Sequence, residues 1–152
     1  MPPVLPKQQK CNSASVNPVD RAIRAGYLQA MLPMTFPVTL GFDLAGVVEA
    51  IGADVTMVAV GDAVYGASNM LRQGAYAEYA VLTADEVAPK PTSVDFVTAA
   101  AVPIAGRTAW TALFDSAGLQ AGQTVLIHGA GGGVGSFAVQ FALAKGVKVI
   151  AT

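Results

Sequence analysis

The stretch Val125-Leu126-Ile127-His128-Gly129-Ala130-Gly131-Gly132-Gly133-Val134-Gly135 constrains this chain more than any other. An apolar run at 124–128 enters it, a helix-like segment at 136–145 leaves it, and a second apolar run follows at 147–151. Strand, glycine turn, helix and strand make up a βαβ unit of roughly the 30 residues that dinucleotide binding requires. Strands buried on both faces of a parallel sheet read as continuous apolar runs, and Val125-Leu126-Ile127 reads that way. Glycines let the backbone turn tightly and come close to a pyrophosphate. The next helix aims its free N–H groups and the positive end of its dipole at the phosphates. The fingerprint is Ala130-x-Gly132-x-x-Gly135, with alanine in place of the first glycine. Gly135 is expected to let the helix sit close to the first strand. Phe137, Phe141 and Leu143 are expected to pack on the sheet, with Gln140 and Lys145 facing out. A P-loop is excluded, because Ser136-Phe137 rather than Lys-Ser/Thr follows Gly135.

The length of 152 residues suits one ordinary domain. With 53% hydrophobic and 12% charged residues, the chain has ample core for its size, and part of it is expected to face an interface or sequence that is absent. A net charge of −1 carries no nucleic-acid footprint. No apolar run reaches the ~18 residues of a membrane span. The start is proline-rich and polar, unlike a secretory signal. The single cysteine, Cys11, excludes an internal disulfide. Together these features predict a cytoplasmic protein. One Cys and one His also predict no metal site, since catalytic zinc takes three protein ligands and structural zinc four. His128 is expected to pack and hydrogen-bond locally, and Cys11 to pack inertly in a strand-like segment.

Residues 1–93 differ from residues 94–152. Short β-like runs at 45–51, 63–65 and 75–81 are separated by glycines, which suggests a small barrel or sandwich. Pro89-Lys90-Pro91 closes this part. Thr92 or Ser93 would cap a helix over 94–102, broken by Pro103. A second helix is expected over 107–117, ended by Gly118.

Further motifs occur in a fixed order: Ser15-Val16-Asn17-Pro18-Val19-Asp20 with Arg24-x-Gly26, Gly41-Phe42-Asp43-Leu44-Ala45-Gly46, and Gly61-Asp62-Ala63-Val64-Tyr65-Gly66. Gly74-Ala75-Tyr76-Ala77-Glu78-Tyr79, Ala99-Ala100-Ala101-Val102-Pro103 and Arg107-Thr108-Ala109-Trp110 follow, then the glycine turn. In these the chain resembles the medium-chain dehydrogenase/reductase superfamily, specifically its zinc-independent quinone oxidoreductase branch of the zeta-crystallin type. Zinc-containing relatives carry Gly-His-Glu where this chain has Gly41-Phe42-Asp43, and a cysteine ligand near Asn17-Pro18. They also carry a four-cysteine lobe that is missing here.

The resemblance implies an α/β fold: a partial GroES-like β domain at 1–93, then linker helices and the first βαβ unit of a Rossmann domain at 94–152. Against that pattern the chain looks truncated at both ends, with residues 1–6 in place of the first strands. The implied reaction is hydride transfer from NADPH to a quinone or an activated C=C or carbonyl substrate, without zinc. Thr152 stands where NAD-dependent relatives place an aspartate, so no acid repels a 2′-phosphate. The implied site residues are Asn17, Asp20 and Tyr27 for catalysis. Asn17, Thr108, Ala130, Gly132, Gly133, Val134, Gly135 and Thr152 would hold the cofactor. Tyr27 enters as a proton donor because the usual tyrosine position is Ala22. Asp20 would orient neighbours such as Arg24. Family members are homodimers, and the partner implied here is a small molecule, with neither nucleic acid nor membrane. The competing expectation is a non-catalytic chain that keeps a nucleotide-binding or structural role. A zinc-dependent alcohol dehydrogenase is a third.

Overall fold

The structure, a computed structural model, describes residues 7–72 and 74–152. The expectation for residues 1–6 lies outside them. The chain divides into two compact units, 1–103 and 104–152.

The first unit is built on β1 (Lys7–Ser15), β2 (Asp43–Val48), β3 (Ala63–Ala67), β4 (Tyr79–Leu82) and β5 (Val87–Pro89). They form one antiparallel sheet in the order β4-β1-β2-β3-β5, not the two layers of a sandwich. The central strand β2 is apolar on both faces because both are covered. Leu44 packs with Ala75, Ala80 and Leu82, and Val48 with Val58 and Val64. On the opposite face Ala45 packs with Ala99 and Ala100. Successive side chains of a strand alternate between faces, so this division follows from the order of residues.

Ala99 and Ala100 belong to α2 (Phe96–Ala100), which packs on β1, β2 and β3. Its cap is Asp95, whose Oδ1 accepts from the Thr98 N–H at 2.7 Å, rather than Thr92 or Ser93. Helix α1 (Pro18–Arg24) follows β1 directly. The run expected over 75–81 is strand only from Tyr79.

Pro103, the last residue of the first unit, opens a helix instead of merely ending one. Helix α3 (Pro103–Trp110) starts there, because proline suits the first helical position, and π-helical turns continue over Thr111–Ser116. Gly118, at φ 59°, follows the last turn. The βαβ unit is present as β6 (Thr124–Ile127), α4 (Gly133–Ala144) and β7 (Lys148–Ala151), with β6 and β7 parallel.

Helix α4 buries Gly135, Ala138 and Ala142, and Phe137 and Phe141 pack half-buried against the same core around Ile127, as expected. Spacing of three and four keeps these small residues on one face, and small side chains allow close approach. Phe141 also lies edge-on to Trp110 of α3 at 5.6 Å, whereas Leu143, expected on the sheet, is 59% exposed. β6 is buried on one face only among the described residues: Ile127 packs in the core, whereas Leu126 is exposed.

Candidate functional site

The first group of site residues gathers where β1 runs into α1. Asn17 precedes the helix, and Pro18 occupies its first position. The Asn17 backbone N–H donates to Oδ2 of Asp20 at 2.7 Å, one half of a capping box. The other Asp20 oxygen accepts from the Gly41 N–H at 2.9 Å. Asp20 is therefore a tie between two loops and is 3% exposed. Its oxygens answer these backbone N–H groups and the Tyr76 hydroxyl; no bond to Arg24 is among those they make here.

The Asn17 side chain turns the other way. Its Nδ2 donates to Oδ2 of Asp43 at 2.9 Å, and the Ser15 hydroxyl donates to the same oxygen at 2.9 Å. Asp43 opens β2 and is wholly buried. A buried carboxylate is costly unless hydrogen-bonded, which explains its polar neighbours.

A cavity of about 330 Å³ opens beside this cluster, lined by Val16, Asp20, Arg21, Arg24, Leu40 and Tyr76. Tyr27 is not among its lining residues: it is 76% exposed, in the turn after α1. The tyrosine at the cavity is Tyr76, from a distant segment. Its hydroxyl donates to the Ser15 carbonyl at 3.3 Å. Desolvation, with the nearby Asp20 and Asp43 carboxylates, pushes its pKa up to about 12. Its ring lies against Gly41, whose φ of 86° and lack of a side chain leave the room.

Asp43, Ser15 and Tyr76 did not emerge as site residues from the sequence. One signal was available for Asp43: an acid inside the apolar run Phe42-Asp43-Leu44-Ala45 demands partners. Cys11 is half-buried, and burial raises its thiol pKa.

The second group is the glycine turn. Gly129 adopts φ 67°, so the tight turn is made one residue before Ala130. Gly132 precedes α4 in an extended conformation. A Cβ at Gly135 would collide with the Gly129 carbonyl and come within 2.8 Å of Ala130 Cα. Around Gly131 a side chain would meet open space, and Val134 is exposed. The first N–H groups of a helix have no intrahelical partner, so those of α4 are available at this open turn.

Thr152 comes back to the turn. Its carbonyl accepts from the Ala130 N–H at 3.1 Å, and its N–H donates to the Ile127 carbonyl at 3.1 Å. Its hydroxyl lies 2.8 Å from Nδ1 of His128. His128 is thus locally hydrogen-bonded, as expected, but exposed, not packed. Thr108 lies on α3 and lines a cavity of about 390 Å³ with Arg107, Thr111, Ala112 and Ser116.

These features fit a dinucleotide: a side-chain-free turn, a helix start behind it, and a neutral residue tied to it from the second strand. Among the described residues no three His, Cys, Asp or Glu side chains cluster so as to hold a metal ion, and no helix is long and apolar enough to cross a membrane.

Residues 10–92 match the alcohol dehydrogenase GroES-like domain. The chain is 46% identical over 143 residues to a quinone oxidoreductase of Sus scrofa, covering 94% of this chain and 42% of that protein. An alcohol dehydrogenase superfamily protein from Novosphingobium aromaticivorans superposes with a TM-score of 0.91 at 42% identity, covering 99% of this chain and 46% of that one. The Escherichia coli quinone oxidoreductase complexed with NADPH gives a TM-score of 0.82 at 33% identity, covering 95% and 43%. The chain belongs to the alcohol dehydrogenase GroES-like family, within the quinone oxidoreductases of the medium-chain dehydrogenase/reductase superfamily. It spans less than half the length of the relatives it matches.

Proposed function

We propose that this chain serves an NADPH-dependent oxidoreductase that reduces a quinone or an activated C=C or carbonyl substrate without zinc. The reduced nicotinamide supplies the hydride when bound. The chain's own residues hold it and manage charge. The turn at Gly132, Gly133, Val134 and Gly135, with Ala130 before it, receives the pyrophosphate on backbone N–H groups. Thr152 accepts a 2′-phosphate that a carboxylate would repel.

Thr108 serves the nicotinamide end. Asn17 presents its amide to the bound cofactor, and an amide N–H to negative charge developing on substrate oxygen, the task a metal performs in zinc-dependent relatives. Tyr76, its pKa raised, keeps its proton at neutral pH and so acts as a hydrogen-bond donor at the cavity. Tyr27, exposed as it is, is less suited than solvent to serve as the proton source. Asp20 acts by holding the Asn17 backbone.

The observation that carries this reading is the bond between the Ala130 N–H and the Thr152 carbonyl. It ties the residue that selects the ribose to the turn that receives the phosphates. The test is a fluorescence titration of the wild-type chain and of Thr152→Asp with NADPH and NADH. We expect the wild type to bind NADPH more tightly, and Thr152→Asp to lose NADPH affinity by about tenfold or more through charge repulsion. Equal affinities of the two proteins for NADPH would overturn the assignment of Thr152. Saturable binding without quinone reduction would favour a nucleotide-binding role alone.

A further inference from the structure

We infer that Asp43 is the positioning residue for Asn17, selecting which face of its amide meets the ligand; the inference rests on the ligand-facing role proposed for Asn17. Asp43 lies between Phe42 and Leu44, and all three are fully buried. One of its oxygens receives both the Ser15 hydroxyl and the Asn17 Nδ2, each at 2.9 Å. A primary amide is planar, with two N–H donors on one side and a carbonyl acceptor on the other. Holding one N–H therefore sets the plane and the directions of the other two groups.

The charge of the partner also matters. Rotating the amide by half a turn would bring its carbonyl oxygen against a carboxylate oxygen, acceptor against acceptor. A carboxylate at position 43 rejects that arrangement, so the second N–H stays available as a donor. A neutral amide at position 43 accepts either arrangement, because it carries donors as well as an acceptor. Position 43 thus decides whether Asn17 offers a donor to negative charge or an acceptor.

Asp20 and Asp43 divide the work. Asp20 accepts from the backbone N–H groups of Asn17 and Gly41 and fixes the loop. Asp43 binds the side chain and fixes its chemistry. The two should therefore separate in a mutational experiment, since only Asp43 acts through the Asn17 amide.

The test uses the 152-residue chain with NADPH as the probe. In the wild type, NMR should show one Asn17 Nδ2 proton protected from exchange and its partner exchanging with solvent. Both protons exchanging at solvent rates would overturn the inference, and this measurement needs no variant to fold. Asp43→Asn should shift the Asn17 side-chain resonances and weaken NADPH binding by about tenfold, the value of one charge-assisted hydrogen bond. In an Asn17→Ala background, Asp43→Asn should cause no further loss, because the group it acts through is gone. An equal loss with and without Asn17 would make Asp43 merely structural and overturn the inference alone. Absence of NADPH binding by the folded wild-type chain would overturn the cofactor reading together with it.

Discussion

The two units build their candidate sites from opposite materials. In the first, side chains make the site: Asp20 and Asp43, both almost wholly buried, hold Asn17 by its backbone and by its amide. In the second, the site is backbone. Gly129 turns, Gly135 yields space, and Thr152 is tied to Ala130 through main-chain atoms. A backbone site tolerates changes of side chain wherever room exists and fails wherever a Cβ must enter. A side-chain site tolerates nothing that removes a charge partner from a buried group. The comparison can be broken at three points.

The largest effect is expected from Gly135→Val. Its side chain would occupy the space of the Gly129 carbonyl. Forced overpacking costs about 1–3 kcal/mol or more. The second unit should lose its cooperative melt by circular dichroism, and NADPH fluorescence enhancement should vanish. A stable, NADPH-binding variant would show that the turn does not depend on close approach of α4.

Asp20→Ala comes next. It leaves the N–H groups of Asn17 and Gly41 without their acceptor, at about 1–3 kcal/mol for a buried donor. Chemical denaturation should show the loss confined to the first unit. Unchanged stability would mean that water replaces the carboxylate easily and that this site is less demanding than the geometry implies.

The smallest effect concerns Tyr76 at high pH. Burial, with Asp20 and Asp43 nearby, raises its folded pKa from an ordinary 10.0 to about 12. Between these values the unfolded chain has lost the proton and the folded chain still holds it. The stability linked to this group is thus complete below pH 10 and is lost as pH rises toward 12. Because the side chain is 41% exposed, solvent screens much of the effect. Ultraviolet difference titration should find one late-ionising tyrosine in the wild type and none in Tyr76→Phe. A Tyr76 that ionises with the other tyrosines would remove the carboxylates from its surroundings.

How much could be read beforehand follows the same division. The order of β6, glycine turn, α4 and β7 was legible, because each element is a local pattern of neighbouring residues. The face of α4 was legible in Phe137 and Phe141, which pack against the core, but not in Leu143, which is exposed, nor in the small residues Ala138 and Ala142, which are the ones buried beside Gly135. Asn17 and Asp20 were legible as motif positions, yet not as a backbone tie and an oriented amide. Their partners lie far off in sequence: Asp43 is 26 residues from Asn17, and Tyr76 is 61 from Ser15. Tyr27 drew attention because it is near α1 in sequence, whereas the cavity is lined by Tyr76.

The order of residues alone was enough for the strand, turn, helix and strand of the βαβ unit, the turn that bares backbone N–H groups, and the absence of an acid at Thr152. These depend on the conformations glycine permits, on apolar periodicity, and on the identity of one residue, all of which act over short stretches of chain. It took the folded chain to show that Asp20 holds the backbone of Asn17 and Gly41 rather than orienting Arg24, that Asp43 takes the Asn17 amide, and that Tyr76 shares the cavity with Asp20. The reason is that antiparallel pairing of β1 with β2 sets Ser15 opposite Asp43, and such a register is a property of two strands brought together rather than of either alone.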